Sequence, residues 1–208
     1  KLRFAGHIDP TRIKPWLDPG ALKIIEPLEL DEPAELEIEV AWPTENSSAI
    51  TGQGKARLGR AAMRGAWIDS AEAEFTLGDR AVAYQRVLVK ANQGQGEAQL
   101  VYDMGRREVR LEKVHSTLSP AEMMLWIDVG IAQTLRDYRF KTNPTAEVTG
   151  RVDMADPQGN SLRIKVNAPG GLHYSLLDRT LDIGRTEADL KVDGFDLRVD
   201  VKRARVFD

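Results

Sequence analysis

The three histidines are the first residues in this sequence that could do chemistry, as metal ligands or as general bases. His7, His115 and His173 show neither the H-x-x-H nor the H-E-x-x-H spacing that places two imidazoles on one metal ion. The spacing favours histidines at exposed positions or strand ends. No metal and no cofactor is therefore predicted.

Glycine-rich segments and carboxylates are the other candidates for chemistry. Residues 92–96 (NQGQG) and 168–171 (APGG) lack the Lys-Ser/Thr ending of a phosphate-binding loop and the G-x-G-x-x-G of a dinucleotide site, so both are predicted to be turns. Glu35, Glu37 and Glu39 alternate along one strand, where they keep a face solvated. A glycosidase needs two carboxylates converging across a cleft, and no spacing here indicates such a pair. The chain is predicted not to be an enzyme.

Composition narrows the class of protein further. The 208 residues are 42% hydrophobic and 29% charged, as in a globular protein, and the formal net charge of -3 argues against a nucleic-acid partner. The chain contains no cysteine, which removes disulfides and thiolate sites. No apolar run approaches the roughly 18 residues that a membrane-spanning helix needs.

Most of the sequence alternates with a period of two. Leu36, Ile38, Val40 and Trp42 share one strand face, and three further runs repeat the pattern: 71–77, 162–166 and 195–201. Such alternation predicts strands with one apolar and one polar face, which antiparallel sheets allow. Turn signals rich in Gly, Asp and Asn separate the runs. We therefore predict a mostly β chain of roughly a dozen strands in an extended antiparallel sheet.

Two helical segments interrupt the alternation, and they resemble each other. Asp9–Gly20 and Ser119–Gly130 align without a gap at an offset of 110 residues, with Pro, Trp, Asp and Gly identical at four positions. The second segment has a Ser-Pro-Ala-Glu start and apolar residues at helical spacing, which predicts an amphipathic helix over 120–138. In the first segment Pro15 breaks the helix. Two tandem units are predicted, residues 1–116 and 117–208.

Further stretches carry a resemblance to a known family. EFTLGDRAVAYQRVLVKANQGQGEAQLVYD (74–103), more loosely EADLKVDGFDLRVDVKRARVFD (187–208), and TLSPAEMMLWI (117–127) followed by YRFKTNPTAEVTGRVDM (138–154) are similar in cadence to the AsmA-like superfamily of Gram-negative envelope proteins. The resemblance implies a curved, U-shaped antiparallel sheet with an apolar inner groove. It also implies a periplasmic protein tethered to the inner membrane and involved in phospholipid transport or outer-membrane homeostasis. The family pattern supplies no catalytic residues.

The apolar residues of the second helix and of two predicted strands are the candidates for lining a lipid groove. They are Met123, Leu125, Trp126, Leu162, Ile164, Val166, Leu197 and Val199. The expected partner is a phospholipid or another acyl-chain lipid. Burying acyl methylenes is favourable without specific contacts, so an apolar groove can hold such a lipid without a recognisable sequence motif. For the helical residues, packing against the sheet in an ordinary core is the competing interpretation.

Two other functions fit the same strands. A structural or interaction β-domain of the envelope would bury its apolar face in a closed core, whereas a carbohydrate-binding module would expose Trp and Tyr on a flat face. A continuous aliphatic face that is open to solvent would favour lipid. The sequence starts and stops within its alternating pattern, and we interpret it as a segment of a longer chain whose anchor lies elsewhere.

Overall fold

A computed structural model of the chain describes residues 1–9, 12, 26–42, 50–78, 80–92, 94–126, 129–176 and 179–207. In chain order the strands are β1 (Leu2–Ile8), β2 (Leu28–Leu30), β3 (Ala34–Ala41), β4 (Thr51–Leu58), β5 (Ala61–Met63), β6 (Ala66–Ile68), β7 (Ser70–Gly78), β8 (Ala81–Ala91), β9 (Gly94–Asp103), β10 (Glu108–Ser116), β11 (Tyr138–Phe140), β12 (Thr145–Asp153), β13 (Ser161–Ala168), β14 (Leu172–Leu176), β15 (Arg179–Ile183), β16 (Thr186–Asp193), β17 (Asp196–Arg203) and β18 (Val206–Phe207). Helices α1 (Pro120–Leu125) and α2 (Val129–Leu135) lie between β10 and β11, and a 3-10 helix spans Pro157–Gly159.

Eleven strands form one antiparallel sheet in the order β1-β3-β4-β7-β8-β9-β10-β12-β13-β16-β17. Its outer strands, β1 and β17, do not pair with each other, so the described strands form an open sheet and no barrel. Bulges in β8, β10 and β17 shift the register, and bulges bend the strands that carry them. The predicted fold class, a mostly β chain with an extended antiparallel sheet and short helices, is confirmed.

Two small sheets accompany the large one. The first has the order β2-β5-β6 and the second the order β11-β14-β15-β18. In each, a hairpin interrupts the meander of the large sheet: β5-β6 is inserted between β4 and β7, and β14-β15 between β13 and β16. The buried apolar residues of the described chain include Ala61, Ala62, Met63, Ala66 and Ile68 of the first hairpin. Half of the ten buried apolar residues of the described chain therefore lie in this hairpin, and the others include Ala91 of β8, Ala168 of β13 and Leu172 of β14.

The two halves of the large sheet repeat one topology. Strands β1-β3-β4-β7-β8 correspond in order to β10-β12-β13-β16-β17, and β9 lies between the two sets. The register repeats as well. Leu36 pairs with Ala56 in the first half, and Ala146 pairs with Val166 in the second half. Ala146 lies 110 residues after Leu36, and Val166 lies 110 residues after Ala56. The offset is that of the two aligned helical segments. The larger part of the first helical segment, at 10–11 and 13–20 and including the predicted break at Pro15, lies outside the described residues.

The helical region of the second half is shorter than its pattern predicts. A helix over 120–138 was expected, but α1 ends at Leu125, α2 ends at Leu135, and Tyr138 begins strand β11. Tyr138 pairs with Tyr174 of β14, and their rings stack at a centroid distance of 4.6 Å. The physical reason lies in tertiary contacts. Cross-strand pairing and ring stacking stabilise this short aromatic segment more than another helical turn would.

Gly150 in the middle of β12 occupies a backbone position that resists substitution. Its φ is +132°, and a Cβ there would meet the carbonyl oxygen of Ser161. Gly150→Ala is expected to destabilise the protein by about 1–3 kcal/mol, because the side chain strains both backbones. Gly59→Ala is the matched control, since nothing lies within 4 Å of its Cβ. Urea unfolding followed by circular dichroism compares the two, and equal midpoints would contradict the expectation.

Candidate functional site

One face of the large sheet is apolar across all eleven strands. Cross-strand pairing aligns one residue from each strand into a single row that contains no polar side chain. In sheet order this row is Gly6, Leu36, Ala56, Ala73, Val87, Ala98, Val114, Val148, Ile164, Leu190 and Val199. Alternate residues of a strand point to the same side, so the row defines what we call the apolar face.

A second, parallel row extends the apolar face. It consists of Phe4, Ile38, Gly54, Phe75, Tyr84, Leu100, Leu111, Gly150, Leu162 and Val192. The rings of Phe75 and Tyr84 contact each other with centroids 6.0 Å apart. Desolvation by burial raises the pKa of the Tyr84 hydroxyl above its ordinary value. The centre of this row is therefore a low-polarity environment.

Within the described part of the chain, little of the apolar face is covered by a second layer. Ten residues of the first row are half-buried and none is fully buried, while Val199 at the edge is 53% exposed. Residues in a closed core lose nearly all of their solvent contact. The apolar face is therefore an open surface across much of its extent.

The opposite face of the sheet carries the charges, and they pair with each other. Lys55 Nζ lies 2.7 Å from Glu74, and this hydrogen bond lowers the pKa of the Glu74 carboxyl. Hydrogen bonds to Asp189 and Asp200 raise the pKa of Lys202 on the far side of the sheet. Exposed pairs of this kind contribute little stability. The charged residues form a solvated face on the side of the sheet opposite the apolar face.

Charged and apolar residues together line two shallow cavities on the large sheet. One, of about 510 Å³, includes Lys55 and Glu74, and the other, of about 280 Å³, includes Lys165 and Asp189. Lys55 and Glu74 form an ion pair, whereas Lys165 is the cross-strand neighbour of Asp189, whose carboxylate pairs with Lys202. Neither cavity therefore shows the convergent charge of a typical ligand pocket.

Helix α1 closes one part of the apolar face. Met123 and Trp126 pack against a buried cluster formed by Ala61, Ile68, Ala91 and Leu118. The indole nitrogen of Trp126 donates a hydrogen bond of 3.0 Å to the carbonyl oxygen of Ala66. The helix is thereby fixed to the β5-β6 hairpin by both apolar packing and a directed hydrogen bond.

The predicted groove residues divide into two groups in the structure. Met123 and Trp126 belong to the packed cluster under α1, and half-buried Leu125 accepts a hydrogen bond at its carbonyl oxygen from Arg64. Of the predicted strand residues, Leu162, Ile164, Val166 and Val199 share the apolar face, and for Leu197 the structure gives the backbone pairing alone. Leu162 and Leu197 both pair with Val192, Ile164 and Val199 both pair with Leu190, and Val166 pairs with Ala188 of the same strand.

Sequence reasoning missed the middle of the apolar face. Val87 and Val114 follow bulges in β8 and β10, where an extra residue breaks the strict alternation of apolar and polar positions. The remaining signal was the valine-rich run VLV at 87–89, which is typical of a half-buried strand.

Some site types are not found in the described part of the chain. Its His, Asp and Glu residues form no group of three or more that could hold a metal ion. No helix among those residues has the length and apolar character needed to cross a membrane. Comparison of the chain with protein-family models, with curated proteins and with solved structures found no match. The open apolar face is therefore the candidate functional site, on the strength of its geometry alone.

Proposed function

We propose that this chain is a non-enzymatic segment of an AsmA-like protein of the Gram-negative periplasm, and that its apolar face shields lipid acyl chains during lipid transport. The observation that carries the proposal is the row of eleven apolar residues, one from each strand of an open sheet. Among the described residues little of this face is covered by a second layer, and an exposed apolar surface of this length fits an apolar partner. Acyl chains supply one without requiring specific contacts.

The energetics of acyl-chain burial suit this face. Each methylene removed from water contributes about 0.8 kcal/mol, in proportion to the area that is covered. Half-buried residues such as Val87 and Val148 retain surface that a chain can cover. Because the term is non-directional, the face would accept phospholipids of different acyl composition. The family and compartment assignments rest on the sequence resemblance, and the acyl-chain proposal also rests on the open apolar face.

Native mass spectrometry on the 208-residue chain, purified from a Gram-negative host, tests the proposal. We expect adducts whose masses match phospholipid or fatty acid, together with the same lipids in an organic extract of the sample. After delipidation, the chain should take up a fluorescent acyl probe in a saturable manner.

A clean apo mass together with no uptake of the acyl probe would contradict lipid binding. That result would favour a structural or interaction β-domain, which is the alternative that the sequence left open. Binding of soluble oligosaccharides without binding of acyl probe would instead favour a carbohydrate-binding module.

A further inference from the structure

Helix α1 has a second side that lines a cavity. This cavity, of about 350 Å³, lies between α1 and the segment that runs from the end of α2 into β11. Glu122 and Leu125 line it from α1, whereas Met123 and Trp126 of the same helix pack into the buried cluster. The cavity and the buried cluster therefore lie on different sides of α1.

Two arginines line the cavity without an acidic partner. Arg136 directly follows α2, and Arg139 is the central residue of β11. Both are exposed, and among the described residues no carboxylate forms an ion pair with either of them, whereas the nearby Lys141 bonds to Asp182. A guanidinium has five N–H donors and no acceptor. Two of them beside one cavity therefore favour an anionic ligand.

The number of donors favours a phosphate over a carboxylate. Besides Arg136 and Arg139, the side chain of Asn143 lines the cavity. The planar fork of one arginine matches both oxygens of a carboxylate, whereas a phosphate monoester has three acceptor oxygens and a charge of about −1.5 to −2 at pH 7. A phosphate group can therefore use both guanidiniums at once.

The remaining walls of the cavity determine the character of the rest of the ligand. Leu125, Tyr138 and Phe140 line it beside the arginines. The ring of Tyr138 stacks on the ring of Tyr174, which limits its movement. The volume of about 350 Å³ lies near the lower end of the range for ligand pockets, about 300–1,000 Å³. The cavity therefore suits a small phosphate ester, or the phosphate end of a larger one, with an apolar group next to the phosphate.

We propose that the cavity between α1 and β11 binds a phosphate ester, with the phosphate on Arg136 and Arg139 and the apolar group against Tyr138 and Phe140. A lipid headgroup and a soluble phosphate ester share this chemistry, and titrations with one probe of each kind distinguish them. The proposal stands without acyl-chain binding, because the described residues that line the cavity lie outside both rows of the apolar face.

Phosphorus NMR titrations of the delipidated 208-residue chain test the proposal. We expect a saturable shift of the phenyl phosphate signal, with an affinity at least about threefold higher than that of inorganic phosphate, because the phenyl ring covers apolar wall. Arg136→Gln and Arg139→Gln should each weaken phenyl phosphate binding about tenfold, the magnitude of one charge-assisted hydrogen bond.

Two further variants separate this site from a general effect of charge. Arg110→Gln removes an exposed guanidinium of the large sheet that lies outside the cavity, and it should leave binding unchanged. Glu122→Gln should tighten binding about threefold, because Glu122 is the one acidic side chain among the described lining residues and repels the phosphate. All four substituted side chains are exposed, so each variant should keep native circular dichroism.

Dihexanoyl phosphatidic acid is the lipid probe. Binding that is tighter than that of phenyl phosphate and that Arg139→Gln weakens would assign the cavity to a lipid headgroup. Arginine-dependent binding that is equal or weaker would assign it to a soluble phosphate ester.

The absence of a saturable shift with all three probes would overturn the proposal, as would binding that both arginine variants leave unchanged. Equal affinities for inorganic phosphate and phenyl phosphate would overturn the assignment of an apolar group. Uptake of the acyl probe is measured on the same variants and should be unchanged by Arg136→Gln and Arg139→Gln. Failure of the phosphate site is thereby distinguished from failure of acyl-chain shielding by the apolar face.

Discussion

Replacing Ile164 by glutamate is expected to weaken acyl-probe binding more than about tenfold, because a carboxylate in the middle of the apolar face must be desolvated when a lipid chain covers it. Ile164 lies between Val148 and Leu190 in the row of eleven residues. The measurement is a titration of the delipidated chain with a fluorescent acyl probe.

Thr149→Glu is the matched control for this variant. Thr149 is exposed on the opposite face and pairs with Arg163, the neighbour of Ile164, so the same charge is added a short distance away. Its probe affinity should equal that of the unmodified chain. If Ile164→Glu proves unfolded by circular dichroism, Val199→Glu makes the same test at a position that is already 53% exposed. Unchanged binding in a folded apolar-face variant would contradict the proposed function.

Truncation of Ile68 to alanine is expected to destabilise the protein more than Gly150→Ala does. Ile68 is 2% exposed and packs with Ala61, Ala91 and Leu118 beneath α1. Loss of buried methyl and methylene groups, together with the cavity that remains, costs about 2–5 kcal/mol. Urea unfolding should show a midpoint lowered by about 1 M or more, given typical denaturant slopes for small proteins.

The control for this truncation is the same substitution at an exposed isoleucine. Ile50 is 45% exposed, so Ile50→Ala should change the free energy of unfolding by less than about 0.5 kcal/mol. Similar losses from both truncations would show that the cluster at the β5-β6 hairpin is not the stabilising core of the protein. Acyl-probe binding by a still-folded Ile68→Ala chain should remain, which would separate stability from the proposed function.

The regular strands could be predicted from sequence because their signal is local. Leu162, Ile164 and Val166 alternate with polar residues, and a period of two specifies both strand and face. The small strands could not be predicted in this way. Ala61–Met63 spans three residues and is apolar throughout, so no alternation distinguishes a buried strand from another buried segment. Its burial arises from contacts with Leu118 and α1, which are distant in sequence.

The candidate site could be predicted in part for a similar reason. Alternation identified residues of β13 and β17 on one face, but the pairing that joins them through Leu190 is a property of the sheet order. The amphipathic pattern of α1 predicted an apolar side without specifying its contact, and Met123 and Trp126 pack in the core. Periodicity determines which way a side chain points, whereas tertiary pairing determines what it meets.

The row of eleven residues has a consequence for how a bound molecule could move. Adjacent strands lie about 4.8 Å apart, so ten steps from β1 to β17 cover roughly 48 Å, which exceeds the roughly 30 Å hydrocarbon thickness of a bilayer. Every step presents another aliphatic side chain or glycine, so the row contains no charged or hydrogen-bonding side chain from one edge strand to the other. On the proposed function, an acyl chain that crosses the sheet along this row meets no polar side chain between β1 and β17.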